Sequence, residues 1–461
     1  MRAGPRRPGH GRPCLILAVA AAACLAGCQA GHASPGAAAS APAATPSRAF
    51  TAGGNPGTAG PGAAVDCLSG TPVACYAPRQ FRVAYGITPL LGRGVDGSGE
   101  TVVLPELAVP PGAAGSSDIR QDLALFDRLF ALPAARLAVT TTLAGGASPY
   151  QASNEEAGDA EMVHAIAPGA AVRVILLPAF AGAAQATASY TAALRMAPAL
   201  GGVVSVSAGL GERCFTPAEI AEWNSALQSD QDQKVTVIAS SGDFGAAMRP
   251  CAGQTAPAPR KGVDLPAANQ LVLSVGGTSL QANRATGAYR GETVWNTPLP
   301  PGVSLPPGAE PPVASGGGFS SVFPRPAYQA GLTGTAAGRG VPDVAADASP
   351  ATGMAVAFYQ NGRQVVGPAD GTSAGAPFWA GIIALADQDA GRHLGFVDQS
   401  IYRIARGSSY HRAFHDITSG GNTVTYSGGN VTGYRAAPGW DPVTGWGTPD
   451  AQVLVPLLAG G

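Results

Sequence analysis

A serine that follows a glycine and a threonine is the most informative feature of this sequence. Ser373 lies in the tripeptide Gly371-Thr372-Ser373, and the residues after it are apolar on nearly every side, which predicts a buried helix. At the start of such a helix, the helix dipole and the free N–H groups favour developing negative charge. That position suits a nucleophile. It also suits a simple helix cap, in which Thr372 or Ser373 only satisfies backbone N–H groups.

A nucleophilic serine needs a base, and the histidines offer none in a convincing context. No histidine is followed by Gly-Thr, so a Ser-His-Asp triad is poorly supported. The six histidines are His10, His32, His164, His393, His411 and His415.

Two carboxylates offer an alternative base. Glu155 and Asp159 are four residues apart in a predicted helix and share one helix face. Two carboxyls held close together do not easily both ionise, so such a pair can act as a base and its supporting partner. The same spacing is also compatible with a solvated acidic stripe. We expect Glu156 and Glu161 to face away from this pair.

Further carboxylates follow predicted strands. Asp243 comes after a buried-looking strand, at the end where open α/β sheets place their ligands, although a simple turn aspartate is an equal alternative. Glu106 follows the first strand and is a candidate extension of the acid network. We expect Asp343 and Asp347 to hold loop structure.

The elements that must position these groups alternate between strand and helix. This alternation predicts an α/β fold, a parallel sheet with helices on both faces, in one large domain. The helix from Pro217 has the clearest start, because Thr216-Pro217-Ala218-Glu219 forms a capping box with proline at the first helical position. The predicted strands are Thr101–Leu104, Ala171–Leu177, Val203–Ser207, Val235–Ala239 and Leu271–Val275, and the predicted helices are 118–131, 154–166, 186–197 and 217–229.

Composition excludes several classes of function. The 461 residues carry 28 Lys+Arg and 29 Asp+Glu, a formal charge of −1, which gives no electrostatic case for binding nucleic acid or an anionic membrane surface. The 64 Gly and 41 Pro predict many turns, and 46% hydrophobic residues supply a core.

The N-terminus predicts export. Arginines are followed by a short apolar run and by Leu25-Ala26-Gly27-Cys28, which resembles a bacterial lipoprotein cleavage box. We therefore predict a signal peptide at 1–27, lipid attachment at Cys28, a flexible tether at 28–64 and a folded domain at 65–461. An ordinary secretory signal is the alternative. Either way, the mature chain is expected outside the cytoplasm, touching a membrane only through the lipid.

The remaining cysteines are best read as disulfides. Four stay in the mature chain besides Cys28, and an even number in an oxidising compartment favours two disulfides over a metal site. Three pairings are possible, and we prefer the pairs close in sequence, Cys67–Cys75 and Cys214–Cys251.

Taken together, these segments resemble the sedolisins, which are serine-carboxyl peptidases with a subtilisin-like fold. The resemblance runs from about Cys75 to the end of the chain. It implies Ser373 as nucleophile, Glu155 as its base, Asp159 as the partner of Glu155, and Asp243 as a protonated acid that hydrogen-bonds the oxyanion. The ordered motifs are Glu-x-x-x-Asp, Ser-Gly-Asp, Val-Gly-Gly-Thr at 275–278, Gly-Gly-Gly-Phe-Ser at 316–320, Pro-Asp-Val at 342–344 and Gly-Thr-Ser-x-x-x-Pro.

The resemblance also implies one structural Ca²⁺ near the C-terminus. Carboxylates and turn carbonyls are the oxygen ligands that this hard cation needs. The implied ligands are the carboxylates of Asp416 and Asp441 and the carbonyls of Ile417, Ala437 and Gly439. Two ordinary turn aspartates are the alternative.

The resulting expectation is a secreted acid peptidase that acts on polypeptides as a monomer. One alternative stays open, a catalytically silent binding lipoprotein of the same fold. A neutral subtilisin fails for want of a histidine in the right context. Three features depart from the family pattern. A short tether stands where a long folded prosegment is usual, Ala208 follows Val-Ser-x-Ser where an aromatic residue is common, and Ala437 replaces a common glycine.

Overall fold

The computed structural model describes residues 75–109, 116–141, 151–180, 182–248, 251, 260–297, 314–332, 337–360, 362–426 and 429–460. The predicted signal peptide, Cys28, Cys67 and the tether lie outside these residues. No helix among the described residues is long and apolar enough to span a membrane.

Helices occur along the whole described chain. In order, they are α1 (Pro78–Ala84), α2 (Thr88–Leu91), α3 (Ile119–Phe130), α4 (Asn154–Ile166), α5 (Ala183–Met196), α6 (Pro217–Asp232), α7 (Gly371–Ala390), α8 (Asp398–Ala405), α9 (Tyr410–Ala413) and α10 (Ala451–Ala459).

Eight of the strands form the central sheet. They are β1 (Thr101–Leu107), β3 (Arg136–Thr141), β5 (Ala171–Leu177), β6 (Val203–Val206), β8 (Thr236–Ser240), β10 (Leu273–Ala282), β11 (Tyr289–Val294) and β14 (Val344–Asp347). The other strands form two-stranded sheets: β2 (Ser116–Asp118), β4 (Gln151–Ser153), β7 (Leu210–Gly211), β9 (Asp264–Leu265), β12 (Gly318–Pro324), β13 (Gly338–Val341), β15 (Ala355–Gln360), β16 (Arg363–Pro368), β17 (Phe414–His415), β18 (Val424–Tyr426), β19 (Gly429–Val431) and β20 (Thr448–Pro449).

The central sheet is mainly parallel, as predicted. Its strand order is β11-β10-β8-β6-β1-β5-β3, and β14 pairs with β10. Every pairing in it is parallel except that of β10 with β11. The carboxyl ends of β1, β6 and β8 therefore point to the same edge of the sheet.

Both faces of the sheet are covered by helices because the strand residues are apolar on both sides. Val102 and Leu104 pack into one hydrophobic cluster with α4 and α7, whereas Val103 between them packs into a second cluster with α5 and α6. Alternation with a period of two sends successive side chains to opposite faces. The predicted α/β architecture, a mainly parallel sheet with helices on both faces, is confirmed.

Helix α7 runs through the larger cluster, and every residue from Gly371 to Asp387 is buried. It packs directly against α4. A Cβ placed on Gly381 of α7 would lie 2.6 Å from Cβ of Ile166, so the absence of a side chain at this position allows the two helices to approach closely.

The predicted elements are present, with shifts at their ends. The helix at 154–166 and the strand at 171–177 have the predicted bounds, and the capping box at Thr216 and Glu219 is formed. Strand β10 begins two residues later and ends seven residues later than predicted, at Ala282, because its second half pairs with β11 and β14.

The expectation that Asp343 and Asp347 hold loop structure is confirmed for Asp347, which accepts the Thr352 hydroxyl of the following loop at 2.8 Å, but both carboxylates also bind strands. Asp347 is the last residue of strand β14, and its carboxylate accepts a hydrogen bond from the Leu280 N–H of β10 at 2.9 Å. Asp343 is fully buried, forms an ion pair with Arg339 and accepts the Ser274 N–H at 2.8 Å. Both carboxylates therefore fix the strands of the central sheet.

Cys214 and Cys251 form a disulfide, as predicted, with their Cα atoms 5.3 Å apart. Cys75 is also disulfide-bonded. Its predicted partner, Cys67, lies outside the described residues.

Candidate active site

The predicted nucleophile and base lie on two helices that touch each other. Ser373 is the third residue of α7, and Glu155 and Asp159 occupy the first half of α4. Asp243 lies in the loop after β8, at the carboxyl edge of the sheet. The structure thus brings together all four residues that the sequence singled out for catalysis.

The Ser373 hydroxyl lies between two acceptors. The hydroxyl donates to the carbonyl oxygen of Ser207 at 3.1 Å, and the Glu155 carboxyl is a second acceptor within hydrogen-bonding reach of it. Ser373 is only 9% exposed, which is enough to reach the cleft described below. A carboxylate that accepts this hydroxyl hydrogen bond is placed to remove the proton.

A chain of hydrogen bonds holds Asp159. Its carboxyl accepts the hydroxyl of Ser207, which follows β6, and also hydrogen-bonds Glu106 at the end of β1. The backbone carbonyl of Ser373 lies 3.1 Å from the Ser207 hydroxyl. The predicted extension of the acid network by Glu106 is therefore present. The role of Ser207 was missed, although it lies in the Val-Ser-x-Ser segment that the sequence had highlighted.

Burial raises the pKa values of these carboxyls, because water is excluded from the charged form. For Glu155, neighbouring carboxyls raise the pKa further, and the Ser373 hydrogen bond lowers it. Burial raises the pKa of Asp159 to about 8 against the lowering effect of the Ser207 hydroxyl. Burial also raises the pKa of Glu106 well above its usual value. The group therefore retains protons at pH values where exposed carboxyls are ionised.

The expectation that Glu156 faces away from the pair was wrong. It is 5% exposed, and its carboxyl contributes to raising the pKa values of Glu155, Asp159 and Glu106. The helical spacing could have revealed it, since residues three apart are neighbours on a helix surface as well as residues four apart. Glu161 does face elsewhere, and accepts the N–H of Ala357 at 2.8 Å.

Asp243 is held on the other side of the nucleophile by the start of α7. The backbone N–H and the hydroxyl of Thr372 both donate to Oδ1 of Asp243, each at 2.8 Å. The same hydroxyl accepts the N–H of Gly242 at 3.0 Å. A Cβ on Gly371 would lie 2.7 Å from Oδ2 of Asp243. A residue without a side chain is therefore needed where the carboxyl packs against the chain.

These groups line a common cleft. Ser373, Glu155 and Asp243 contribute to it, and none of the described residues in its lining is a histidine. Buried His164 lies on α4 but contacts Asp127 and the carbonyl of Pro133. The remaining lining residues are Ser207, Gly209, Ser240, Gly242, Phe244, Asp264 and Thr372.

The residues expected to bind calcium also lie together. Gly439 donates its N–H to Oδ2 of Asp416 at 3.0 Å, and Ala437 donates to Oδ2 of Asp441 at 3.1 Å. The other oxygen of Asp416, Oδ1, is buried without a hydrogen-bond partner among the described residues. No group of three or more His, Cys, Asp or Glu side chains suited to a metal occurs in the described part of the chain. With two carboxylates, a cation here would need backbone carbonyls as well.

Comparisons with known proteins agree with this arrangement. The model of the subtilase family matches residues 138–396. Kumamolisin from Bacillus sp. (strain MN-32) is 33% identical over 396 residues, which cover 83% of this chain and 63% of the relative. Sedolisin from Pseudomonas sp. (strain 101) is 36% identical over 192 residues, which cover 42% of this chain and 30% of the relative. The chain thus spans less than two thirds of the length of these curated relatives.

A solved structure shows the same likeness. The Pseudomonas sedolisin, a serine-carboxyl proteinase complexed with two molecules of pseudo-iodotyrostatin, superposes with a TM-score of 0.63 at 26% identity. The match covers 83% of this chain and 97% of that one. Because the family model spans more than half of the chain, the chain belongs to the subtilase family, and its likeness to kumamolisin and to the Pseudomonas sedolisin places it within the sedolisins.

Proposed function

We propose that the protein is a serine-carboxyl peptidase that hydrolyses polypeptides at acidic pH. The observation that carries this proposal is the hydrogen bond between the Ser373 hydroxyl and the Glu155 carboxyl, with Asp243 across the same cleft. A histidine-based subtilisin finds no support there, since the cleft lining contains no histidine among the described residues.

In the proposed mechanism, Glu155 takes the hydroxyl proton as the Ser373 oxygen attacks the peptide carbonyl. Asp243 lies on the opposite side and, while protonated, donates a hydrogen bond to the oxyanion. Collapse of the tetrahedral intermediate releases the amine, which takes the proton from Glu155, and leaves an acyl-serine. Water then attacks the ester carbonyl while Glu155 takes a proton from it. The bond between the acyl carbon and Oγ of Ser373 breaks, Oγ takes the proton from Glu155, and the carboxylic acid product leaves.

The pH dependence of this mechanism follows from two requirements. Glu155 must be ionised to act as base, so activity rises with pH through its pKa. Asp243 must be protonated, so activity falls as that carboxyl ionises. The product of the two fractions gives a bell-shaped profile. The family resemblance supports an acidic optimum, and the raised pKa of Glu155 moves the acidic limb of the bell toward higher pH.

Hydrolysis of a denatured protein from pH 2 to 8, by the full chain and by its Ser373→Ala variant, tests the proposal. We expect activity confined to acidic pH and abolished in the variant. Turnover that survives in a folded Ser373→Ala variant would remove this serine from the mechanism. A folded wild-type protein with no activity at any pH would favour the silent binding lipoprotein.

We also propose that one Ca²⁺ stabilises the C-terminal segment. The carboxylates of Asp416 and Asp441 and the carbonyls of Ile417, Ala437 and Gly439 would hold it. The buried Oδ1 of Asp416, which has no partner among the described residues, supports a cation at this position. Bound there, the ion would neutralise the two carboxylates and link the chain at 416–417 to the turn at 437–441.

For its location, we propose an exported monomer that is attached to the outer face of a bacterial membrane through Cys28. The export signal and the cleavage box in the sequence support this. Radiolabelled palmitate should appear in the wild-type protein and be absent from Cys28→Ala. Equal labelling of the two would rule out this attachment site.

A further inference from the structure

A fourth carboxyl lies against the Glu155/Asp159 pair and has no role in the mechanism above. Seen down the axis of α4, the Asp159 side chain lies between those of Glu155 and Glu156. Glu155 is four positions before Asp159, Glu156 is three positions before it, and one helical turn is 3.6 residues. Glu156 is buried, at 5% exposure. Its carboxyl therefore adds a potential charge beside the base, in a place with little water.

The titratable groups that face this cluster come from three elements and from the loop after β8, where Asp243 also raises the pKa of Glu155. Helix α4 supplies Glu155, Glu156 and Asp159, strand β1 supplies Glu106, and α5 supplies Tyr190. One carboxyl oxygen of Glu106, Oε1, is buried and has no hydrogen-bond partner in the described part of the chain. Burial is the largest cause of the raised pKa of Glu106, and the carboxyls of Asp159, Glu156 and Glu155 raise it further. The cluster thus consists of four buried carboxyls and a phenol.

The effect of Glu156 on its neighbours has one direction. Burial raises the pKa of Glu155 first, and the Glu156 carboxyl is the next largest cause. For Asp159, Glu156 likewise acts to raise the pKa. A charge on Glu156 therefore keeps a proton on its neighbours to higher pH.

We infer that Glu156 is a positioning residue of the reaction, which acts through Glu155 and sets the lower pH limit of activity. Glu156 is not among the described residues that line the cleft, whereas Glu155 is. While Glu156 is ionised, Glu155 gives up its proton only at higher pH, so a higher pH is needed before Glu155 can act as base. This inference rests on the proposed function, because it assigns a pH limit to the base of that reaction.

The test is the pH profile of kcat/KM for the full chain and for Glu156→Gln. We expect the acidic limb to move to lower pH by about one to two units, as estimated for two unit charges about 6 Å apart at an effective dielectric constant of about 20. The alkaline limb depends on Asp243 and should stay in place. Glu156→Asp, which keeps the charge, should lie close to the wild type.

A matched control comes from the same helix. Glu161 is also buried, and burial raises its pKa, but its carboxyl lies against Ala357 of β15. Glu161→Gln should leave both limbs unchanged. A shift of the acidic limb as large in Glu161→Gln as in Glu156→Gln would overturn the inference, since any buried charge on α4 would then have the same effect.

Thermal unfolding supplies a second readout that needs no activity. A carboxyl whose pKa is higher in the folded than in the unfolded state makes the protein less stable as pH rises above about 4. In a Ser373→Ala background, Glu156→Gln should therefore reduce the drop in Tm between pH 4 and pH 7. An unreduced drop, or an unmoved acidic limb in an active Glu156→Gln enzyme, overturns the inference. The proposed function fails separately, if Ser373→Ala does not abolish hydrolysis.

Discussion

Replacing Gly371 with alanine should separate the catalytic role of Asp243 from the stability of the fold. Gly371 has a φ of +75°, and its new Cβ would lie 2.7 Å from Oδ2 and 3.4 Å from Cγ of Asp243. Adopting this backbone conformation costs an alanine about 1–2 kcal/mol. The contact with the carboxyl is shorter than van der Waals distance, so Asp243 must move.

The functional loss should exceed the loss of stability. Once displaced, Asp243 can no longer keep both hydrogen bonds from Thr372 and present its other oxygen to the cleft. Loss of one oxyanion donor lowers kcat by about 10²–10³-fold, or about 2.7–4 kcal/mol. We therefore expect the free energy of unfolding of Gly371→Ala, measured in denaturant, to be lower than that of the wild type by about 1–2 kcal/mol. Its kcat on a chromogenic peptide at the optimal pH should fall by at least about 100-fold.

Gly391 at the other end of α7 provides the control. Its φ is +62°, and nothing lies within 4 Å of a Cβ placed there. Gly391→Ala thus carries the same conformational cost without the contact with Asp243, and should lose stability but keep its kcat. A Gly371→Ala enzyme with wild-type kcat, or an equal loss of activity in Gly391→Ala, would refute this account of Asp243.

Three further outcomes concern stability. Replacing Cys214 and Cys251 with alanine opens a loop with a sequence separation of 37 residues. We expect the free energy of unfolding, measured in denaturant, to fall by up to about 4 kcal/mol. A fall below about 1 kcal/mol would show that the disulfide adds little stability. Thr216→Ala removes the side chain that caps the Glu219 N–H of α6 and should cost about 1 kcal/mol, whereas an unchanged midpoint would mean that water replaces the cap. A calcium chelator should lower Tm in the wild type but not in Asp416→Ala, and equal shifts in the two would argue against this site.

Local chemistry explains which elements could be predicted from the sequence. The capping box at Thr216, the apolar run after Ser373 and the continuous apolar strand at 171–177 each carry their own signal. Strand β3 was missed because Arg136–Thr141 mixes polar and apolar residues at an edge of the sheet, where only pairing with β5 identifies it as a strand. Strand β14 was also missed, because only its pairing with β10, about 70 residues away in sequence, identifies this short segment as a strand.

The candidate site shows a similar division. Spacing along one helix put Glu155 and Asp159 on one face without excluding a solvated acidic stripe, and motif order linked them to Ser373 and Asp243. Contacts between distant segments could not be read in this way. The Ser207 hydroxyl reaches Asp159 across 48 positions, and its place in the site depends on the pairing of β6 with its neighbours in the sheet.

The close approach of α4 and α7 bears on how such a protein can be diversified. The separation of base and nucleophile is set by a buried helix interface, so it does not depend on the loops that surround the cleft. Loop exchange should therefore alter which peptides are accepted while the catalytic spacing is kept. Gly381, about 12 Å along α7 from Ser373, is different: a side chain there would meet Ile166 and push the helices apart. Grafting a new specificity onto this scaffold requires that this interface be copied unchanged.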